Sequence, residues 1–144
     1  MRRSVARQLN PLWLSLLPEP PPGKRRIVLV TGGRDFADAH LVHLALTAIA
    51  PGMVIEGGAT GADRLCREWA TAHGVQVLTM EANWAHYGPA AGPRRNGAMV
   101  RVAQLCGAVV VAFPGGSGTA DCVGKARASG LVVVEVEGEG LRGQ

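Results

Sequence analysis

The chain has 144 residues, 47% of them apolar and 20 of them glycine, with a formal charge of +4. That length and apolar content make one domain with a sizeable core and exclude a globally disordered chain. No apolar run approaches the ~20 residues that a membrane-spanning helix needs, so no membrane association is expected.

The charge is unevenly placed. Residues 1–26 carry six basic side chains and one acid, whereas residues 27–144 carry nine basic and ten acidic ones. The basic excess therefore belongs to the leader, and the remainder lacks the field that would draw in nucleic acid. The cysteines Cys66, Cys106 and Cys122 are odd in number and form no C-x-x-C pair. This argues against a disulfide framework and for a reducing cytoplasm. The histidines show no metal-ligand spacing: His40 and His43 stand three apart without an obvious third ligand, so no metal site is expected.

The leader, residues 1–25, ends its first part in Leu12-Trp13-Leu14-Ser15-Leu16-Leu17, bracketed by Pro11 and Pro18. The apolar stretch is too short, and lacks the cleavage site, for a signal peptide. A proline-rich linker, Pro18-Glu19-Pro20-Pro21-Pro22-Gly23, follows it. A mobile tail is the reading preferred over a docking segment built on Trp13 and its leucines.

From Arg26 onward, strands and helices alternate. Arg26–Thr31 is a β-branched run that reads as a doubly buried strand. Residues 37–50 carry Leu41, Leu44, Ala45 and Ala48 at helical spacing and stop at Pro51-Gly52. Met53–Ile55 is strand two. Ala62–His73 places Leu65, Cys66 and Trp69 on one helical face before Gly74. Val75–Met80 is strand three, residues 81–93 a long loop, Arg94–Leu105 a helix and Ala108–Phe113 strand four. A further helix runs through Ala128, and Leu131–Val136 is strand five. This alternation predicts a single Rossmann-like α/β domain over residues 26–136, leaving 137–144 as a tail. Its parallel sheet is doubly wound in the order 3-2-1-4-5, with helices on both faces. The crevice for a ligand then lies where the loops after strands one and four diverge.

Those loops are glycine-rich. Pro114-Gly115-Gly116-Ser117-Gly118-Thr119 leads from a buried strand into a helix, where backbone N–H groups and the helix dipole favour an anion. Its plainer reading is a tight turn with Thr119 as N-cap. The loop Glu56–Asp63 follows the same logic, with Gly57, Gly58, Thr60 and Gly61 shaping it. Asp63 is open to two readings, first-turn helix stabilisation or a ribose hydroxyl acceptor. Neither loop is a Walker P-loop or a G-x-G-x-x-G fingerprint. Ser117, flanked by Gly116 and Gly118, is not a hydrolase nucleophile elbow. A third segment sets Trp84 and Tyr87 before Arg94, Arg95 and Asn96. The rings suit base stacking, and arginines at a helix start, where the dipole opposes them, suit an anionic partner.

Four ordered blocks resemble the SLOG superfamily, Rossmann-like domains named for SMF/DNA-processing protein A and the Lonely-guy enzymes, in its cpYpsA-related, YspA-type branch. They are Thr31-Gly32-Gly33-Arg34-Asp35, Gly57-Gly58-Ala59-Thr60-Gly61-Ala62-Asp63-Arg64, Ala91-Gly92-Pro93-Arg94-Arg95-Asn96 with Met99, and Pro114–Thr119. The resemblance spans about residues 26 to 136. It implies a nucleotide or nucleotide-derived ligand, bound by a sensor or by a nucleotide-processing protein, and a homodimer. The apolar face of Met99, Val100 and Ala103 is expected near that interface; no cofactor is implied and any effector partner is unspecified.

Lonely-guy relatives cleave the N-glycosidic bond of a nucleoside monophosphate with an arginine and a glutamate, the latter in P-G-G-x-G-T-x-x-E. The arginine aligns with Arg95, but the glutamate position is Cys122 here. Asp121, one residue early, points about 100° away around a helix. Arg95 and Asp121 are the catalytic candidates if the chain is such a hydrolase. Single-stranded nucleic-acid binding, as in the DNA-processing relatives, is a third possibility that the charge balance disfavours.

Overall fold

The computed structural model describes Leu14, Ser15, residues 17–137 and Gly140–Leu141. Five parallel strands carry the fold: β1 (Ile27–Thr31), β2 (Met53–Glu56), β3 (Gln76–Thr79), β4 (Val109–Ala112) and β5 (Val133–Glu137). The order is β3-β2-β1-β4-β5, as the alternation predicts, and a short β6 (Gly140–Leu141) pairs antiparallel with β5. Residues 137–144 are therefore not wholly a tail, because the sheet continues through Glu137 and back.

Alternate residues of the central strand feed two cores. Val28 and Val30 face one layer, formed by α1 (Ala39–Ile49) and α2 (Ala62–Ala72). Leu29 faces the other, formed by α4 (Ala91–Cys106) and α5 (Ser117–Ala128). This two-sided burial is why β1 and β4 read as unbroken apolar runs. In α1 the buried stripe is Leu41, Val42, Ala45, Leu46 and Ile49, whereas Ala48 is exposed and Leu44 only partly covered. The apolar spacing located the helix but set its inward face about one residue off.

Two expectations about surfaces are corrected. Leu17 is only 4% exposed and belongs to the α1–α2 core, with Leu14 packed against it. The leader thus contributes an anchor, since burying one leucine stabilises by about 1.5–3 kcal/mol; Trp13 lies outside the described residues. Met99, Val100 and Ala103 are buried against the chain's own sheet. The apolar surplus that suggested a dimer interface there is already spent internally.

The segment 81–93 is not a loop throughout. It forms α3 (Trp84–Tyr87), capped by the Asn83 side chain accepting from His86 N–H at 3.1 Å, and then a 3-10 turn (Gly88–Ala90). α4 begins at Ala91, not Arg94. Pro93 fits its first turn, where a missing N–H removes no helical bond. Arg94 and Arg95 consequently sit just beyond that turn.

Candidate functional site

The loops leaving β1 and β4 meet edge to edge. Gly33 N–H donates to the Pro114 carbonyl at 2.8 Å, and a Cβ on Gly33 would stand 3.1 Å from the Cα of Gly115. Side chains here would force the loops apart. The β2 loop is tied to the β1 loop: Ala62 N–H donates to Gly33 O at 3.0 Å, and the Thr60 hydroxyl to Arg34 O at 3.1 Å. Gly61 has φ +73° and is crowded by the Gly33 and Arg34 carbonyls. It packs the loops together and is not part of the lining of the cavity formed here.

A cavity of about 880 Å³ opens at this junction. Gly32, Gly33, Arg34, Asp35, Asp63, Trp84, Arg95, Asn96, Asp121 and all of Pro114–Thr119 line it. The structure thus brings most of the residues singled out from sequence to one place. Phe36, Pro89 and Met99 add apolar wall. Met99 stands one helical turn beyond Arg95, so the i,i+4 spacing was the available signal.

α5 starts with Gly116 as N-cap and Ser117, Gly118 and Thr119 as its first three residues, without a side-chain cap. Thr119 is inside the helix and is not its N-cap. The first-turn N–H groups have no intrahelical acceptor. Gly116 to Thr119 line the cavity, and a Cβ on Gly116 or Gly118 would meet nothing within 4 Å.

The β2 loop behaves differently. Gly57 and Ala59 N–H groups donate to Asp63 Oδ2 at 3.0 and 3.3 Å, and Gly58 N–H to Glu56 Oε1 at 2.6 Å. These three donors are taken by the protein's own carboxylates, which leaves them no part in holding a phosphate. Asp63 organises the loop, a role that neither of its two sequence readings named. Sequence reasoning missed the central part of Glu56, which is fully buried. It accepts from Thr79 Oγ1 and pairs with Arg67 at 3.1 Å.

Burial pushes the Asp63 carboxyl up to about 6, opposed by the Ala59 and Gly57 N–H groups and by Arg95 and reinforced by Glu56. The folded protein therefore binds this proton more tightly than the unfolded chain. The associated stability is present below pH 4 and is lost as pH rises through about 6. At about 1.36 kcal/mol per unit the loss is about 3 kcal/mol. Asp63→Asn should lack this component: between pH 4 and 7.5, urea denaturation should show wild type losing stability relative to the variant. A difference that does not change with pH would contradict this.

The two arginines part company. Arg95 lines the cavity, donates through Nη1 to Gly57 O and through Nε to Asn96 Oδ1 at 3.0 Å. Arg94 lies outside the cavity, its guanidinium 4.2 Å from the centre of the Tyr87 ring. Arg34 covers Trp84 similarly at 5.2 Å, leaving that indole 47% exposed. Asn96 is buried and donates to Gly118 O at 3.2 Å and Asp121 Oδ2 at 3.0 Å.

Asp121 receives Lys125 Nζ at 2.6 and 2.7 Å. Burial acts to raise its carboxyl, but hydrogen bonds from Lys125 and Asn96 outweigh that and hold it below the usual range. It is an acceptor, poorly suited to donate a proton. Cys122 is fully buried. Burial raises its thiol, against a hydrogen bond from the Thr31 hydroxyl and the charge of Arg95. Neither residue reproduces an acid at the Lonely-guy glutamate position. Among the described residues, no group of three or more His, Cys, Asp or Glu could hold a metal ion. None of their helices is long and apolar enough to cross a membrane.

Fold and crevice define a doubly wound α/β domain whose main cavity lies at the topological switch point. The sequence model of the YspA, cpYpsA-related SLOG family matches residues 26–87. A curated relative, the Gene 61 protein of Mycobacterium phage D29, is 34% identical over 122 residues, covering 76% of this chain and 94% of that protein. The chain belongs to the YspA, cpYpsA-related SLOG family. Membership points to a nucleotide-related ligand for this Rossmann-like domain.

Proposed function

We propose that the chain binds a phosphorylated nucleotide derivative in the larger cavity and acts as a ligand sensor. The observation that carries this reading is the convergence of the open N-terminal turn of α5, the Arg95 guanidinium and an apolar wall on one cavity. N–H groups at a helix start and a guanidinium suit a phosphate. Trp84, Pro89 and Met99 suit the flat apolar faces of a base.

Hydrolysis of the N-glycosidic bond is the less favoured reading. It needs a positioned acid or base and stabilisation of transition-state charge, while Cys122 is buried and Asp121 is held ionised by Lys125. Free cysteines, with Cys66 and Cys122 buried, suit a reducing cytoplasm.

The test begins with Gly118→Asp. A carboxylate in the first turn favours the helix by about 0.3–1 kcal/mol, so the ligand-free fold should survive. It would also occupy and repel at the phosphate position. A panel of nucleoside monophosphates should include members that raise the wild-type Tm. At a hundredfold excess over Kd the linkage is about 2.7 kcal/mol, and the variant should lose it. Undiminished stabilisation in Gly118→Asp would remove the phosphate from this turn.

A further inference from the structure

The α1–α2 layer carries a pair of histidines that takes no part in the crevice. His43 lies on α1, His73 is the C-cap of α2, and both are exposed. Far apart in the chain, their rings stand 5.8 Å apart between centres and are inclined at 48°. Neither residue lines the crevice cavity.

His73 is fixed in orientation and in tautomer. Its ring stacks on that of Trp69, one turn earlier, with centres 4.4 Å apart and planes 19° apart. Its Nδ1 lies 2.8 Å from the Trp69 carbonyl oxygen. A carbonyl only accepts, so Nδ1 carries the hydrogen, and in the neutral ring Nε2 keeps its lone pair. A backbone carbonyl bound to one ring nitrogen is the arrangement that orients histidines whose other nitrogen holds a metal. His43 has no hydrogen bond or ion pair among the described residues, so both its nitrogens are uncommitted. Capping the helix accounts for His73 by itself; His43 beside it turns one donor into a pair.

The spacing of the pair suits a shared ion. With metal–nitrogen bonds of about 2.0–2.1 Å and tetrahedral angles, two imidazoles on one zinc have ring centres about 5 Å apart. The observed separation exceeds this by less than about 1 Å. Rotation of the exposed, unbonded His43 side chain closes such a gap. Imidazole nitrogen suits zinc, copper and nickel, whereas magnesium and calcium take oxygen.

We propose that His43 and His73 form a two-histidine site for a borderline divalent transition ion such as zinc, bridging α1 and α2, with water completing the coordination. Among the described residues no cluster of three or more His, Cys, Asp or Glu could hold a metal, so the remaining positions stay open to solvent. The ion clamps α2, whose first turn supplies Asp63 to the β2 loop, onto α1. This site stands independently of the reading given for the crevice.

Zinc chloride titrated calorimetrically into the full chain, free of any added polyhistidine, tests the site, with magnesium chloride as the control. One zinc should bind per chain and raise the Tm, because the ion binds the folded state; magnesium should do neither. His73→Phe keeps a flat ring against Trp69 and removes the nitrogens, and His43→Gln keeps the exposed position polar. Each should weaken zinc binding tenfold or more and remove the Tm rise. His43→Gln carries the test by itself if loss of the His73 cap unfolds the chain. His40→Ala, one turn earlier on α1, should change the affinity less than twofold. Zinc binding that survives His73→Phe but is lost in both His40→Ala and His43→Gln would place the ion on α1 alone and overturn the bridge. No binding to wild type, or binding that neither His43→Gln nor His73→Phe weakens, as for an adventitious surface ion, would overturn the site.

Discussion

Arg95→Ala is expected to weaken binding of a phosphorylated ligand by about 1.5–3 kcal/mol, the range for a hydrogen bond to a charged group. That corresponds to roughly 10- to 150-fold in Kd. Arg94→Ala should change it little, because Arg94 lies on the Tyr87 ring outside the cavity. Arg95 is held from two sides, by Gly57 O and by Asn96 Oδ1, itself fixed through Gly118 and Asp121. A pre-oriented guanidinium loses little freedom on binding. Titration of both variants with the same nucleotide measures the contrast, and equal, negligible effects would reduce both arginines to solvated surface charges.

Arg67→Met is expected to destabilise the fold by about 3 kcal/mol, near the lower end for removing one partner of a buried pair. Glu56 is fully buried whereas the Arg67 side chain is 35% exposed. Loss of the arginine leaves a carboxylate that water cannot reach, with only Gly58 N–H and the Thr79 hydroxyl to offset it. Loss of the carboxylate leaves a guanidinium that water can still solvate, so Glu56→Gln should cost less. Adding Glu56→Gln to Arg67→Met should recover much of the loss, since no buried charge then remains. Denaturant unfolding of the four proteins reads the cycle. An Arg67→Met change under about 0.5 kcal/mol, the size of an ordinary surface substitution, would show that the pair contributes nothing measurable.

Both expectations depend on details that local pattern does not contain. Arg94 and Arg95 are neighbours of the same type, and the residue that reaches the cavity is decided by the helical phase. That phase follows from the start of α4 at Ala91, three residues before the expected start, with a short helix and a 3-10 turn feeding into it. The glycine loop after β2 resembles the loop after β4 in composition. Its donors are nevertheless taken by Asp63 from the following helix and by Glu56 from the preceding strand. The buried anchor Leu17 likewise sits in a stretch whose prolines and short apolar run suggest only a tail.

The sequence by itself determined the five parallel strands, their order and the meeting of the β1 and β4 loops. Those follow from two-sided burial of β-branched runs such as Ile27–Thr31 and Val109–Ala112, and from the handedness of strand–helix–strand crossovers. These are properties of short segments and of chirality, which residue types express directly. Only the tertiary structure decided which backbone donors stay open, which arginine faces the cavity and which carboxylates are charged. An N–H group is free or spent according to the side chain that folds back onto it. A carboxyl such as Asp63 is raised or lowered by the balance of burial and partners around it. Both depend on groups brought together from distant parts of the chain, as Arg95 is to Gly57 and Asn96 to Asp121.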